Sequence, residues 1–211
     1  MMKKISEIFK DLFNSLDGFI EKRENILKES RDILSLSRNV INRIHLRKDI
    51  KEDINKLRES VIKLIKLASD EPRIFYSGSL RDVLKEYVEA ILLFNFVQKF
   101  EKKEDIEMPH YTDLGVTEET YILGIFDFLG ELKREIMYCV KKKDFEKAWE
   151  IFNFINEIYL HLETKVILSS IIPGYKSKVD SIKRMLLGIE EFLLKIESEN
   201  YLVKYLKSFK S

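Results

Sequence analysis

Glycine and proline are scarce in this chain. Its 211 residues include only 7 Gly and 3 Pro, which is too few for the turns that a β-rich or loop-rich fold requires. The 45% hydrophobic and 35% charged content, repeated with a period near 3.6 residues, is typical of long amphipathic helices. The composition therefore predicts an all-α protein, with residues 1–211 forming one domain that buries a core of its own.

Cysteine, histidine and net charge are also low. The single Cys139 excludes an intramolecular disulfide and fits a reducing compartment, and 3 His leave little material for a zinc site. The net charge of +1 gives no global signal for nucleic acid, so a basic surface must be a local stripe. The chain has no uncharged apolar run of membrane-spanning length and no secretory signal. We therefore expect a cytoplasmic protein without membrane contact.

Hydrophobic periodicity predicts six helices and a short seventh. The predicted segments are 3–46, 49–69, 77–102, 117–142, 144–168, 175–197 and Tyr201–Phe209. Ser77 or Ser79 and Thr117 are the expected N-caps of the third and fourth segments. In the first segment, Arg23 and two serines interrupt the apolar seam at seven-residue spacing. The last two segments carry more apolar surface than one bundle needs, so part of it should form subunit contacts.

Four carboxylates stand in segments where a buried helix should carry none. Asp127 and Glu131 are the only charged residues within 121–132, and their i, i+4 spacing places them on one helix face. Glu86 and Glu89 are spaced i, i+3 in a second apolar stretch. Ionised carboxylates are almost never fully buried unless they are paired or bind a metal. Two helices that each present two acids therefore predict a divalent-cation site.

The type of metal follows from the type of ligand. Clustered Asp and Glu without His select hard ions such as Mg²⁺ or Mn²⁺, which are the usual cofactors of phosphodiester hydrolysis. The Glu-x-x-His signature of di-iron bundles occurs only at Glu107–His110, where Pro109 is incompatible with a regular helix interior. For Glu86 and Glu89 the alternative is an ordinary solvated helix face.

A possible RNA contact lies on the first helix. Lys28, Arg31 and Arg38, followed by His45 one heptad later, form a basic stripe that would contact phosphates. The alternative is a solvated helix face whose charges pair with neighbours at i, i+4.

Two stretches of the sequence, which contain the four carboxylates, resemble signatures of the translin/TRAX family. They are Leu84–Ala90, with the sequence LKEYVEA, and residues 121–132, with the sequence YILGIFDFLGEL. Further similarity covers nearly the whole chain. Translin proper lacks the Asp corresponding to Asp127, whereas TRAX has it, so the chain resembles the TRAX-like branch. The short loop at 105–116 and the compact length resemble archaeal members.

The resemblance implies a seven-helix translin-like bundle that assembles into a hollow, octamer-like barrel. It also implies a metal-dependent endoribonuclease that uses Mg²⁺ or Mn²⁺ on RNA, preferentially single-stranded RNA, with single-stranded DNA as another ligand. Carried over by position, the catalytic and metal-binding acids are Glu86, Glu89, Asp127 and Glu131. A homo-oligomer carrying its own site is the simpler assembly, and a translin subunit is not required.

Two alternatives belong to other functional classes. One is a non-catalytic scaffold that binds single-stranded nucleic acid, as translin does, and the other is an inert helical bundle that mediates protein contacts. Asp127 favours the enzyme, because a pure scaffold has no reason to place that acid in an apolar helix. The inert bundle would leave the four acids without a common purpose.

Overall fold

A computed structural model describes residues 4–208, except for the side chains at 204 and 206–208. These residues form seven α-helices and no strand, which confirms the predicted all-α class. The helices are α1 (Ile5–His45), α2 (Lys51–Ser69), α3 (Pro72–Phe75), α4 (Gly78–Lys102), α5 (Glu118–Lys141), α6 (Phe145–Glu163) and α7 (Tyr175–Ser208). No helix in the described part of the chain combines the length and the apolar character needed to cross a membrane.

The predicted helix starts have their capping hydrogen bonds. The Leu80 backbone N–H donates to Ser77 Oγ over 3.4 Å at the start of α4. The Thr120 backbone N–H donates to Thr117 Oγ1 over 3.3 Å at the start of α5. Each hydroxyl satisfies a backbone donor that the first turn of a helix leaves open. Of the two candidates for the cap of α4, Ser77 is therefore the residue used.

Three predicted boundaries were wrong. The segment predicted over 144–168 ends at Glu163, where Thr164 Oγ1 donates to the His161 carbonyl oxygen over 2.8 Å. The predicted sixth and seventh segments are one helix, α7, because the polar stretch near Asn200 contains no Pro or Gly to stop it. Pro72 opens the unpredicted turn α3, where its missing N–H costs nothing. Phe209, the last residue of the predicted seventh segment, lies outside the described residues.

The chain divides into two compact units, and the divisions fall inside α4 and in the first turn of α5. The first unit comprises Met1–Ile91 and Pro109–Thr120, and the second comprises Leu92–Met108 and Tyr121–Ser211. The single domain therefore stays a prediction, and each unit is described by itself below.

In the first unit, α1 packs on α2 with only part of its length. The buried side of α1 begins at Ile26 and ends at Ile44, and it includes Ser30 and Ser37. The two serines were expected to interrupt the apolar seam, but they are buried within it. Before Ile26 the apolar side chains of α1 are mostly exposed: Ile5, Ile8, Phe9, Leu12, Phe13, Leu16 and Ile20.

In the second unit, α6 and α7 pack side by side in opposite directions. Tyr175 Oη, at the start of α7, donates to the Leu162 carbonyl oxygen near the end of α6 over 2.7 Å. Trp149 Nε1, near the start of α6, donates to Glu197 Oε1 on α7 over 2.9 Å. Gly174 allows the chain to turn into α7, because its φ of 71° is costly for any residue with a Cβ.

Candidate metal and RNA site

Glu86 and Glu89 form the first carboxylate pair, on the part of α4 that belongs to the first unit. Glu89 is only 7% exposed, and the Glu86 side chain is 20% exposed. The pair lies among buried apolar residues: Val83, Leu84, Tyr87, Val88, Ala90 and Ile91. The alternative of a solvated helix face is therefore wrong for Glu89, whereas Glu86 lies at the boundary between the core and solvent.

Glu86 has a cationic partner on α1. Arg38 Nη2 lies 3.5 Å from Glu86 Oε1, and the Arg38 side chain is 61% exposed. The guanidinium thus faces water on one side and the carboxylate on the other. An arginine held in this way lowers the cost of keeping a shielded carboxylate ionised, while its remaining donors stay available to a ligand.

Asp127 and Glu131 form the second carboxylate pair, on the part of α5 that belongs to the second unit. Both residues are half-buried, and their neighbours in the helix are buried apolar residues: Leu123, Ile125, Phe126, Phe128, Leu129 and Leu132. The absence of Lys and Arg within 121–132 does not leave Glu131 without a cation, because Arg134 Nη1 lies 2.9 Å from Glu131 Oε2.

Glu135 is a buried acid that sequence reasoning missed. It is 3% exposed and continues the line of Asp127 and Glu131 by one more helical turn. The spacing i, i+4, i+8 was visible in the sequence. Lys133 and Arg134 nearby made the position look like the start of an ordinary charged surface.

Two buried or half-buried tyrosines lie on the same helices as the carboxylate pairs. Tyr87 follows Glu86 directly, and Tyr121 lies on α5 ahead of Asp127. Burial raises the pKa of Tyr87, with Arg58 opposing it, and burial likewise raises the pKa of Tyr121. A desolvated phenol resists ionisation, so burial favours the protonated form of both side chains.

The donor set fits Mg²⁺ or Mn²⁺ by its chemistry. All four predicted ligands are carboxylates, which are the oxygen donors that hard cations prefer. The described residues contain no group of three or more His, Cys, Asp or Glu placed to hold an ion. Mg²⁺ does not require one, because it is commonly bound through one or two carboxylates together with water and substrate phosphates. The metal assignment stays a prediction.

The basic stripe of α1 is on the surface. Lys28, Arg31 and Arg38 are all exposed, whereas His45 is half-buried. Lys28 and Arg31 line a surface hollow together with Arg23. The stripe therefore has the exposure that phosphate contacts require, although only Arg38 is also shown to touch one of the predicted acids.

Comparison with known proteins gives the family. The model of the Translin family matches residues 21–197. The chain belongs to the Translin family. It is 33% identical over 152 residues to an uncharacterized protein of Methanocaldococcus jannaschii, a match that covers 70% of this chain and 64% of that protein. It is 25% identical over 187 residues to Translin-associated protein X of Rattus norvegicus, with 72% and 64% covered. The predicted TRAX-like branch is confirmed.

These matches span 64% of the length of each of these relatives. Among solved structures, AfC3PO has a TM-score of 0.78 at 22% identity, with 90% of this chain and 97% of that chain covered. The crystal structure of apo-NeC3PO has a TM-score of 0.74 at 22% identity, with 92% and 98% covered. A third structure, a complex of AfC3PO with duplex RNA, has a TM-score of 0.77 at 21% identity, with 90% and 97% covered. These similarities confirm the predicted translin-like fold.

Proposed function

We propose that this protein is a metal-dependent endoribonuclease whose site comprises Glu86, Glu89, Asp127 and Glu131. One observation carries the proposal: each of two helices keeps two carboxylates out of full solvent contact among buried apolar side chains. Burial makes an ionised carboxylate costly, and a nearby cation, either an arginine or a metal ion, offsets that cost. The family resemblance supports the same four residues.

The four carboxylates would hold the metal, Mg²⁺ or Mn²⁺. When bound, such an ion lowers the pKa of a water molecule and offsets the charge that develops on the phosphoryl oxygens. The chain's own contribution is orientation. Arg38 restrains Glu86 and Arg134 restrains Glu131, and the apolar surroundings limit competing water. A carboxylate of the set would also accept the proton of the attacking water.

RNA would reach the first carboxylate pair along the basic stripe. Lys28, Arg31 and Arg38 are exposed on one face of α1, and Arg38 contacts Glu86. A phosphate backbone that follows this stripe is therefore led to the first pair. We expect a preference for single-stranded RNA, with single-stranded DNA bound but not preferred. Because AfC3PO was crystallised with duplex RNA, both forms of RNA belong in the assay.

The working form would be a homo-oligomer, a hollow octamer-like barrel that needs no translin subunit. Exposed apolar residues on α7 support subunit contacts, among them Leu187 and Leu194, which are 53% and 54% exposed. Light scattering at micromolar concentration tests this point, and a monomer would contradict it. The free, buried Cys139 is in keeping with the cytoplasmic location we propose.

The experiment uses purified protein and end-labelled RNA, single-stranded and duplex, first with Mg²⁺ and then with EDTA. We expect internal cleavage with Mg²⁺ and none with EDTA. Binding without cleavage under every metal condition would instead support the non-catalytic scaffold. Undiminished cleavage in EDTA would contradict a metal-dependent enzyme and indicate a contaminating nuclease.

A further inference from the structure

A large groove in the second unit is not used by the proposed function. Its floor is aromatic: the Phe96 and Phe100 rings stack with centroids 5.2 Å apart, and the Phe96 and Phe154 centroids are 5.0 Å apart. Its volume of about 1040 Å³ is at the upper end of the range for small-molecule pockets. A groove of this size and shape suits a segment of polypeptide better than a small ligand. We refer to it as the acidic groove.

The rim of the acidic groove is strongly negative. Six carboxylates and two lysines line it, and one of the lysines, Lys147, lies 3.5 Å from Asp144 and is already paired with it. Glu146, Glu150 and Glu157 are exposed along α6. An aromatic floor under an acidic rim is complementary to a segment that carries apolar side chains on one face and lysines beside them.

The last eleven residues of the chain have that composition. Residues 201–211, the C-terminal segment, read YLVKYLKSFKS and contain three lysines and no acidic residue. Its apolar residues follow helical spacing at positions 201, 202, 205, 206 and 209, which gives one apolar face. In the described part of the segment, Tyr201 is 71% exposed and Leu202 is 54% exposed.

The geometry of α7 directs residues 201–208 away from the acidic groove of the same chain. Because Glu197 contacts Trp149 and the helices run in opposite directions, residue 201 of α7 is level with the start of α6 at Phe145. The remaining residues to Ser208 continue the same helix and project about 10 Å further, at 1.5 Å per residue. The acidic groove extends the other way along α6, as far as His161. A straight α7 cannot return to it.

We propose that the C-terminal segment of one copy of this chain docks in the acidic groove of a second copy. The apolar face of the segment covers the aromatic floor, and the two lysines that border this face, Lys204 and Lys210, meet the carboxylates of the rim. This contact deepens the proposed homo-oligomer by naming the two surfaces that meet. It does not depend on RNA cleavage, so the assembly and the nuclease can fail separately.

A charge exchange tests the contact in the full-length chain. Glu150→Lys with Glu157→Lys reverses the rim, and Lys204→Glu with Lys210→Glu, at the two lysine positions that border the apolar face, reverses the segment. We expect each double variant to lower the average mass in sedimentation velocity to less than the wild-type mass, and we expect the quadruple variant to restore it. Glu52→Lys with Glu59→Lys, exposed on α2 in the first unit and spaced i, i+7 like the rim pair, is the matched control and should keep the wild-type mass. Circular dichroism checks that all variants fold.

A mixing experiment gives a second, independent reading. A chain ending at Asn200 keeps the groove and the Trp149–Glu197 contact but lacks the segment. The rim-reversed chain keeps the segment but lacks the groove charge. Each alone should have a reduced mass, and the mixture should have a larger mass than either chain alone, because the segment of the rim-reversed chain can dock in the groove of the shortened chain.

Three results would overturn the proposal. They are a chain ending at Asn200 with the wild-type mass, a quadruple variant that fails to regain it, and a monomeric wild-type chain. The last result would leave the groove to a basic segment of a different protein. If the reduced-mass variants still cleave RNA, the contact serves assembly alone.

Discussion

The two carboxylate pairs differ in the origin of the cation that accompanies them. In the first pair, Glu86 contacts Arg38, which is 48 positions away in the sequence and belongs to the exposed basic stripe. In the second pair, Glu131 contacts Arg134, three residues along the same helix. One cation is supplied by tertiary structure and the other by helix periodicity. The first arrangement links its pair to a surface for RNA, whereas the second is local.

The pairs also differ in how deeply they are placed. Glu89 is buried, whereas both members of the second pair are half-buried. The line of acids on α5, however, continues to the buried Glu135. Burial removes water from a carboxylate and strengthens its interaction with a cation. We therefore expect Glu89 and Asp127 to be the strongest ligands of their pairs, and Glu131 to be the weakest of the four.

The largest expected effect is the loss of cleavage in Asp127→Asn. Asparagine keeps the size and one oxygen but loses the charge that attracts a divalent cation. We expect the rate to fall by more than about 100-fold, because even groups that only support metal ligands cost about 10- to 100-fold when removed. Glu89→Gln should show a comparable loss, and Glu131→Gln a milder one. Single-turnover cleavage of labelled RNA measures each.

Glu118→Gln is the matched control, because Glu118 is exposed in the first turn of the same helix. It should cleave at the wild-type rate, and all variants should retain RNA affinity. Full metal-dependent activity in Asp127→Asn would remove the second pair from the site.

Metal binding should be visible as thermal stabilisation. With Mg²⁺ at about ten times its Kd, ligand linkage adds roughly 1.4 kcal/mol, or about 3–5 °C in Tm for a chain of this size. Asp127→Asn should lose this shift, and its metal-free Tm should exceed that of the wild type because carboxylate repulsion is relieved. Differential scanning calorimetry with and without Mg²⁺ measures both. An unchanged shift in Asp127→Asn would mean that the ion binds elsewhere.

The two arginines that contact the carboxylate pairs should differ in their effect on RNA binding. Arg38→Gln should weaken RNA binding by about 1 kcal/mol, or roughly fivefold in Kd, and reduce the salt slope by about one. Arg134→Gln removes the corresponding partner from the second pair and should leave Kd unchanged. Fluorescence anisotropy across a salt series measures both. Equal effects of the two variants would contradict a special role for the basic stripe.

The smallest expected effect is a change in Tm when Glu71, an acid outside both carboxylate pairs, is replaced. Arg73 donates to both carboxylate oxygens of Glu71, at 2.7 and 3.1 Å, and this hydrogen bonding holds the pKa of Glu71 below its usual value of 4.5. A lowered folded-state pKa gives stability that is present above the unfolded pKa and is lost as pH falls through the folded pKa. Because Arg73 is exposed to water and solvent screening weakens its attraction to Glu71, Glu71→Gln should lower Tm by about 1 °C or less at pH 7.

The difference between Glu71→Gln and the wild type should be smaller at pH 3 than at pH 7. Thermal unfolding followed by circular dichroism at the two pH values measures it. A difference that grows in acid would contradict the assigned direction of the pKa shift.

Local signals in the sequence predicted the fold well. The caps at Ser77 and Thr117, the turn at Gly174 and the all-α class follow from chemistry within a few residues. The sequence did not predict that α7 is continuous, because a polar stretch without Pro or Gly is compatible with both an interruption and a helix. Local sequence signals also did not predict which half of α1 is buried. The same apolar pattern is buried from Ile26 onward and mostly exposed before it.

Some features of the candidate site could likewise be predicted from local sequence signals, and others could not. Glu86, Glu89, Asp127 and Glu131 were recognisable as acids in apolar helices, and Glu135 could have been found by the same spacing. The contact between Arg38 and Glu86 could not, because the two residues meet only through packing of distant segments. Whether the two pairs act on one ion remains a prediction that the sequence and the family resemblance make together.

The chemistry of the cleaved ends tests the central claim most directly. Water activated at a metal site attacks the phosphorus and leaves a 5′-phosphate and a 3′-hydroxyl, whereas attack by the ribose 2′-hydroxyl leaves a 2′,3′-cyclic phosphate. Mass spectrometry of the products formed with Mg²⁺ distinguishes the two. We predict 5′-phosphate and 3′-hydroxyl ends that are absent when Asp127→Asn replaces the wild type. Cyclic phosphate ends, or the same products from Asp127→Asn, would contradict the account.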